Sequence, residues 1–376
     1  MKNSKEGKRR IILKIGTSTL TAGKKSLSLP SILNLVQQIS TQYAKNHEII
    51  LVTSGAIAAG RDVLRSLEGA TQIPAKQVLA AIGQPRLMEV YTQLFRIYQI
   101  PVAQVLLTRS DLADRHGYLN ARNTLIGLLE SRILPIVNEN DAVATEEIRV
   151  GDNDNLSALV ANLVEADQLI LLTDQDGLYT GDPRSDPSAT LIHEVSTSEI
   201  PNEVWLAAGG SMTGLGTGGM YTKVKAADLA RRSGTEVVIA RGDEDRVIEK
   251  AMRGDLAGTR FVPVISKLES RKRYFLSGLK TSRTTILLDD GAVVALKNGS
   301  SLLPAGTIGV EGIFERGDIV KLQNTSGKEI AVGMCNYSAA DITRISGHRS
   351  EEILGILGYN YGDEVVHRNN LILLQG

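Results

Sequence analysis

Cysteine is almost missing from this 376-residue chain: Cys335 is the only one, which excludes an intramolecular disulfide framework and a cysteine-built zinc site. Aromatic residues make up only 4%, too few for broad base-stacking platforms. Neither sign of charge is in excess. Lys+Arg and Asp+Glu both number 42, so no global field draws the chain to nucleic acid or anionic lipid. No apolar run approaches the ~18 residues of a membrane span. The charged opening MKNSKEGKRR leads into an apolar run that Lys14 interrupts before signal-peptide length, so a soluble, cytoplasmic protein is expected. The five histidines are scattered and form no H-E-x-x-H, and no G-x-x-x-x-G-K-[ST] is present, which argues against a zinc hydrolase and a P-loop enzyme. What the chain does have is glycine, 36 residues, which favours sites lined by backbone.

The length predicts two or three domains at roughly 100–200 residues each. Short apolar runs at 11–16, 48–53, 102–107, 133–137, 168–173 and 236–240 read as strands. Helical stripes at 29–46, 75–98, 118–131, 154–165 and 220–232 lie between them. Ser28 and Pro30 supply an N-cap and first turn for the first long helix. Strands alternating with helices predict an α/β fold, a mostly parallel sheet sandwiched by helices, with ligands beyond the carboxyl ends of the strands. From about 264 the texture changes. Residues 265–283 are basic and weakly apolar and read as a linker. Residues 284–376 show short alternating segments between turn signals, which predict a small all-β barrel or sandwich. The boundaries expected are therefore 1–264, 265–283 and 284–376.

Four polar clusters fall at the predicted strand ends. In KIGTSTL, Lys14 stands inside an apolar strand, where its ammonium needs an anion, and Gly16, Thr17 and Ser18 follow with backbone donors. A lysine snorkelling from an edge strand is the alternative. In TSGAIAAG, Ser54 and small residues open a helix at which an anion fits; a tight packing turn is the alternative. NENDAVA and GDNDNLSAL bring Asn138, Asp141, Asn153 and Asp154. One helix cap explains one of the Asp152–Asn153–Asp154 trio but not the whole group, whose carboxylates and amides suit an ammonium, a lysine or hydrated magnesium. LLTDQDGLYTGDP, with Thr173 and Asp174, pairs with GLGTGGMYTKVKAA, a glycine run entering a helix that carries Lys223, a cradle for polyphosphate. The literal G-x-G-x-x-G at 214–219 lacks a preceding strand and does not read as a dinucleotide fingerprint. Cys335, between apolar neighbours, reads as core.

In this order, KIGTSTL, TSGAIAAG, NENDAVA, GDNDNLSALVA, LLTDQDGLY and GTGGMYTKVKAA resemble the amino-acid kinase superfamily and, within it, the glutamate 5-kinase family of proline biosynthesis. GAVVALKNGSSLLPAGTIGVEGIFERGDIV looks like a PUA domain. The resemblance implies ATP and Mg²⁺ as cofactors and L-glutamate as acceptor. It implies contacts from Lys14 and Lys223 to the transferring phosphoryl group, with Asp154 orienting the two lysines. Ser54, Asp141 and Asn153 would bind glutamate, with Asn138 beside them. Thr173, Asp174 and the segment Thr217, Gly218, Gly219, Met220, Tyr221, Thr222 and Lys223 would line the nucleotide site. It further implies a homo-oligomer, dimer or tetramer, and proline as feedback effector. A reactive acyl phosphate product calls for lids, expected at 74–100 or 201–216, or both. The rivals are a sister kinase with another carboxylate acceptor and an RNA-binding or RNA-modifying protein acting through the PUA-like region. Residues 281–376 hold eight Lys and Arg against eleven Asp and Glu, a net of −3 that disfavours an RNA footprint.

Overall fold

The computed structural model describes residues 7–64, 72–143, 152–209, 219–255, 258–279 and 284–374. The chain divides into two compact units, 1–267 and 268–376.

The first unit is built on eight strands: β1 (Arg10–Ile15), β2 (Glu48–Thr53), β3 (Val102–Leu107), β4 (Leu134–Glu139), β5 (Gln168–Thr173), β6 (Glu194–Val195), β7 (Glu236–Arg241) and β8 (Thr259–Phe261). Their order is β3-β4-β2-β1-β5-β7-β8-β6. All neighbours pair in parallel except β7 and β8. Continuous apolar runs such as EIILVT and QLILLT are buried along their whole length, as a sheet covered on both faces requires. The faces separate by strand parity. Ile11, Leu13 and Ile15 join a core with Ile32, Leu87 and Ile248, while Ile12 joins the opposite core with Leu125, Val160 and Val224. Lys14 shares the parity of Ile12, so it emerges on the side covered by the helices Asp152–Leu163 and Gly219–Arg231.

Ser28 caps the helix Leu29–Ala44, accepting from the Ser31 N–H with Pro30 in the first turn, as its sequence predicts. Residues 74–100, expected to include a lid, are instead occupied mostly by the 25-residue helix Ile73–Ile97, fixed to the core along a stripe that includes Leu79, Leu87, Val90 and Tyr91. Its backbone interlocks with the helix Ala56–Val63. A Cβ at Gly83 would stand 1.8 Å from the Ala56 carbonyl oxygen, and one at Gly60 2.0 Å from that of Leu79. Such contact packs the two helices tightly against each other. The other lid segment begins in the short helix Asn202–Ala207, and its residues 210–216 lie outside the described residues.

The second unit has a five-stranded sheet in the order β10-β9-β11-β12-β13, formed by β9 (Thr285–Leu288), β10 (Thr307–Glu311), β11 (Ile319–Asn324), β12 (Glu329–Met334) and β13 (Leu371–Leu373). The helices Asp290–Lys297, Ala339–Ile345 and Ile353–Leu357 accompany it. Leu296, Ile342 and Ile353 join the core of Ile286, Val320 and Tyr337. Cys335 sits fully buried in that core, where burial pushes its thiol up to about 12, an inert group rather than a nucleophile. Much of the stretch 265–283, expected as a connector, is a helix, Lys267–Gly278. Its charges sit on the helix surface, Glu269 pairing with Arg273 one turn on at 2.5 Å, while Phe275 is buried. Charge density hid a helical period there.

Candidate active site

Polar residues stand at or just past the carboxyl ends of the parallel strands β2, β4 and β5, Ser54, Asn138, Thr173 and Asp174 among them, and these ends meet. Lys14 is in register with Val52 and Leu171 on the neighbouring strands. One residue on, Ile15 pairs with Thr53, and the chain then turns into Ser54 and Gly55. Gly55 has φ of 101°, a left-handed conformation suited to glycine, and a Cβ there would come within 2.9 Å of the Leu20 side chain. That turn starts the helix Ala56–Val63 directly beyond β2.

A cavity of about 750 Å³ opens at these ends. Lys14, Ser54, Asn138, Asp141, Asn153 and Asp154 line it, as do Thr173, Asp174, Gly219, Met220, Thr222 and Lys223. Three helices, Ala56–Val63, Asp152–Leu163 and Gly219–Arg231, reach it with their N-terminal residues, bringing backbone N–H groups and the positive ends of their dipoles to one place.

At its centre Asp154, fully buried, accepts from two lysines. Lys14 Nζ lies 2.5 Å from Oδ1 and Lys223 Nζ 3.2 Å from Oδ2. The Thr222 hydroxyl donates to the same Oδ2 at 2.8 Å, and Lys223 also donates to the Gly219 carbonyl at 3.2 Å. Burial pushes the Asp154 carboxyl up, but the two ammonium groups and the hydrogen bonds from Lys14 and Thr222 outweigh it and hold the carboxyl below its usual range. Burial pulls Lys14 below the ordinary lysine value. Asp154 opposes that pull and the Lys223 charge adds to it. Two lysines on one carboxylate leave this largely buried cluster with a net charge of +1, a charge that an anionic ligand would offset.

Beside this ionic cluster lies a neutral one. Asn153 Nδ2 donates to the Thr53 carbonyl (3.1 Å), to Ser54 Oγ (2.9 Å) and to Asn138 Oδ1 (3.1 Å). Asp141 follows β4 in a turn, half-buried at the cavity edge. Thr173 Oγ1 donates to Asp174 at 3.1 Å at the end of β5.

The structure thus gathers most of the residues singled out from sequence into one cavity. Tyr221 departs from that expectation: it lines no part of the cavity and packs on Trp205, ring centroids 5.5 Å apart, because its helix turns that face to the core. Thr217 and Gly218 lie outside the described residues. Sequence reasoning missed Arg61, Lys76 and Arg184 on the cavity wall, and the Gln84 side chain hydrogen-bonded to Asn138. Gln84 did leave a signal, a polar residue on the buried stripe of its helix. The three cations look like ordinary surface charges in sequence.

The amino acid kinase family model matches residues 9–241, and the PUA domain model matches 284–357. The chain belongs to the amino acid kinase family. A glutamate 5-kinase of Shewanella amazonensis is 51% identical over 376 residues, covering 100% of this chain and 98% of that protein. One of Herpetosiphon aurantiacus is 50% identical over 364 residues, covering 96% and 98%. Among solved structures, a carbamate kinase from Giardia lamblia bound to AMP-PNP is 17% identical, with a TM-score of 0.50 over 68% of this chain and 98% of that one, a likeness of fold.

Proposed function

We propose that this chain phosphorylates the γ-carboxylate of L-glutamate with ATP, giving L-glutamyl 5-phosphate and ADP, the first step of proline biosynthesis. The observation that carries the reading is the Lys14–Asp154–Lys223 cluster set beside Ser54, Asn138 and Asn153 in one cavity of a chain half identical to glutamate 5-kinases.

The chemistry follows from charge. A γ-carboxyl group with an ordinary pKa near 4.3 is already ionised at neutral pH, so its oxygen attacks the γ-phosphorus of ATP with no proton to remove. None of the five histidines lines the cavity, and none is needed as a base. What must be managed is repulsion between the acceptor anion and the triphosphate, and the negative charge that spreads over the phosphoryl oxygens in flight. Lys14 and Lys223 contact that group, and the helix N-termini add N–H donors. Asp154 fixes both ammonium groups and limits their mutual repulsion. Ser54 and Asn153 hold the acceptor, with Asn138 behind them, and Asp141 faces its α-ammonium. Thr173, Asp174 and residues 217–220, 222 and 223 take the nucleotide.

Mg²⁺ fits this donor set as a partner of the phosphates. Among the described residues no three His, Cys, Asp or Glu side chains converge, and the Asp154 carboxylate is engaged by lysines. Mg²⁺ accepts such an arrangement, with water and phosphate oxygens as its main ligands. Bound there, it neutralises part of the triphosphate charge.

Among the described residues no helix is long and apolar enough to cross a membrane, and we place the enzyme in the cytoplasm. The kinase unit, 1–264, and the PUA domain, 284–376, serve as separate functional parts of a homo-oligomer, dimer or tetramer, with proline as feedback effector. An acceptor screen tests the central reading. ADP release is followed with glutamate, acetylglutamate, aspartate, carbamate and UMP side by side. Glutamate is expected to give the highest kcat/KM; a tenfold preference for any other acceptor overturns the assignment.

A further inference from the structure

The neutral cluster does not stop at the cavity wall. Asn138 Nδ2 donates to Gln84 Oε1 at 2.8 Å, and Gln84 Nε2 donates to Gln104 Oε1 on β3 at 2.9 Å. An amide side chain can be turned over, exchanging its donor for its acceptor, so the direction of such a chain must be set by groups that cannot turn. Two backbone groups set it here. The Glu139 N–H donates to Asn138 Oδ1 at 2.9 Å, which makes that atom the oxygen. The Thr53 carbonyl, 3.1 Å from Asn153, requires the nitrogen there. Asn138 therefore turns its nitrogen to Gln84, and only an oxygen satisfies it.

The same direction has a consequence at the other end. Ser54 Oγ receives an N–H from Asn153, so the single proton of the Ser54 hydroxyl remains to be donated elsewhere. Ser54 lines the cavity, and a donor facing it suits a carboxylate. Gln84 itself lines no part of the cavity and is 8% exposed, on a helix stripe otherwise apolar. Burying an amide there is unfavourable unless both of its ends are bonded, and both are.

We propose that Gln84 is a positioning residue for the acceptor: through Asn138 and Asn153 it holds the Ser54 hydroxyl as a donor aimed at the substrate carboxylate. The proposal rests on the reading of Ser54 and Asn153 as acceptor-site residues. Gln84→Met keeps the side-chain length and removes both hydrogen-bonding ends, leaving Asn138 free to tilt or turn over.

The test is a double-mutant cycle in steady-state kinetics with ATP and glutamate, using Gln84→Met, Ser54→Ala and the pair. Gln84→Met is expected to raise the KM for glutamate about fivefold, the worth of one net hydrogen bond, with kcat and the KM for ATP within about twofold of wild type. In the Ser54→Ala background the same change should add less than about twofold, because its route to the substrate is gone. An unchanged glutamate KM in Gln84→Met, or an equal factor in both backgrounds, overturns the proposal and leaves Gln84 a packing residue. Should Gln84→Met not fold, Gln84→Glu keeps an oxygen towards Asn138, and the exposed Gln104 can turn its own nitrogen to it. Glutamate KM is then expected within about twofold of wild type, and a rise above about fivefold overturns the proposal. Failure of the underlying reading looks different: Ser54→Ala alone would leave the glutamate KM untouched.

Discussion

Lys14, Asp154 and Lys223 put three full charges into the cavity with a sum of +1, whereas Ser54, Asn138, Asn153 and Gln84 next to them are neutral and bond to one another. Both groups bury polar atoms, and they meet the cost of desolvation differently. The ionic cluster leaves a surplus positive charge at the cavity, which suits it to the reacting phosphates. The amide cluster is nearly closed upon itself and exports a direction rather than a charge. The first is therefore suited to lowering a barrier and the second to holding an acceptor in one orientation.

That division is open to direct attack. The largest effects belong to the ionic cluster: Lys14→Ala and Lys223→Ala should each lower the kcat of glutamate-dependent ADP release on the order of 10²-fold. Turnover within a few-fold of wild type in both would abolish the distinction. Next comes Asp154→Asn, which strands two ammonium groups against a neutral amide and should destabilise the fold by about 3 kcal/mol, read as a lowered midpoint in urea unfolding. A gain in stability would mean that the lysines repel too little to need their anion. On the neutral side, Asn153→Ala and Asp141→Ala should raise the KM for glutamate about tenfold and leave the KM for ATP within about twofold. A shift confined to ATP would place these residues on the wrong substrate.

The smallest effect is one of pH. Because burial lowers Lys14 below its ordinary 10.5, it loses its proton earlier than an exposed lysine on the way up. The kcat/KM profile, which reports the free enzyme, should then fall on an alkaline limb below that value, with no acid-side limb near neutrality. For stability the sign is opposite. The unfolded chain holds the Lys14 proton more tightly, so between the two pKa values this group favours folding more as pH rises. Asp154, held low, contributes stability above the ordinary carboxyl range and loses it as pH falls through its folded value. An alkaline limb at or above 10.5 in kcat/KM would show that Lys14 is not desolvated.

Much of this was readable beforehand because local signals agreed. The runs IILKI, EIILVT and QLILLT carry strand character, and the polar residues that end the parallel strands mark where a ligand crevice must open. Gly55 announced the turn after β2. The helix Lys267–Gly278 was obscured by its basic charges, and Tyr221 was assigned to the nucleotide from a motif whose helical face points elsewhere. Gln84 was overlooked because a glutamine in a helix carries no meaning until its neighbour is known.

Sequence alone determined the strand–helix alternation, the family and the set of polar residues at the strand ends, since each of these depends on near neighbours along the chain or on the order of motifs. It could not determine that Asp154 stands between two lysines 69 and 140 residues away, or that an amide on the helix Ile73–Ile97 sets the proton of a serine at the end of β2. Hydrogen bonds and ion pairs act over about 3 Å of space whatever their separation in sequence, so only the folded backbone decides which groups come within reach.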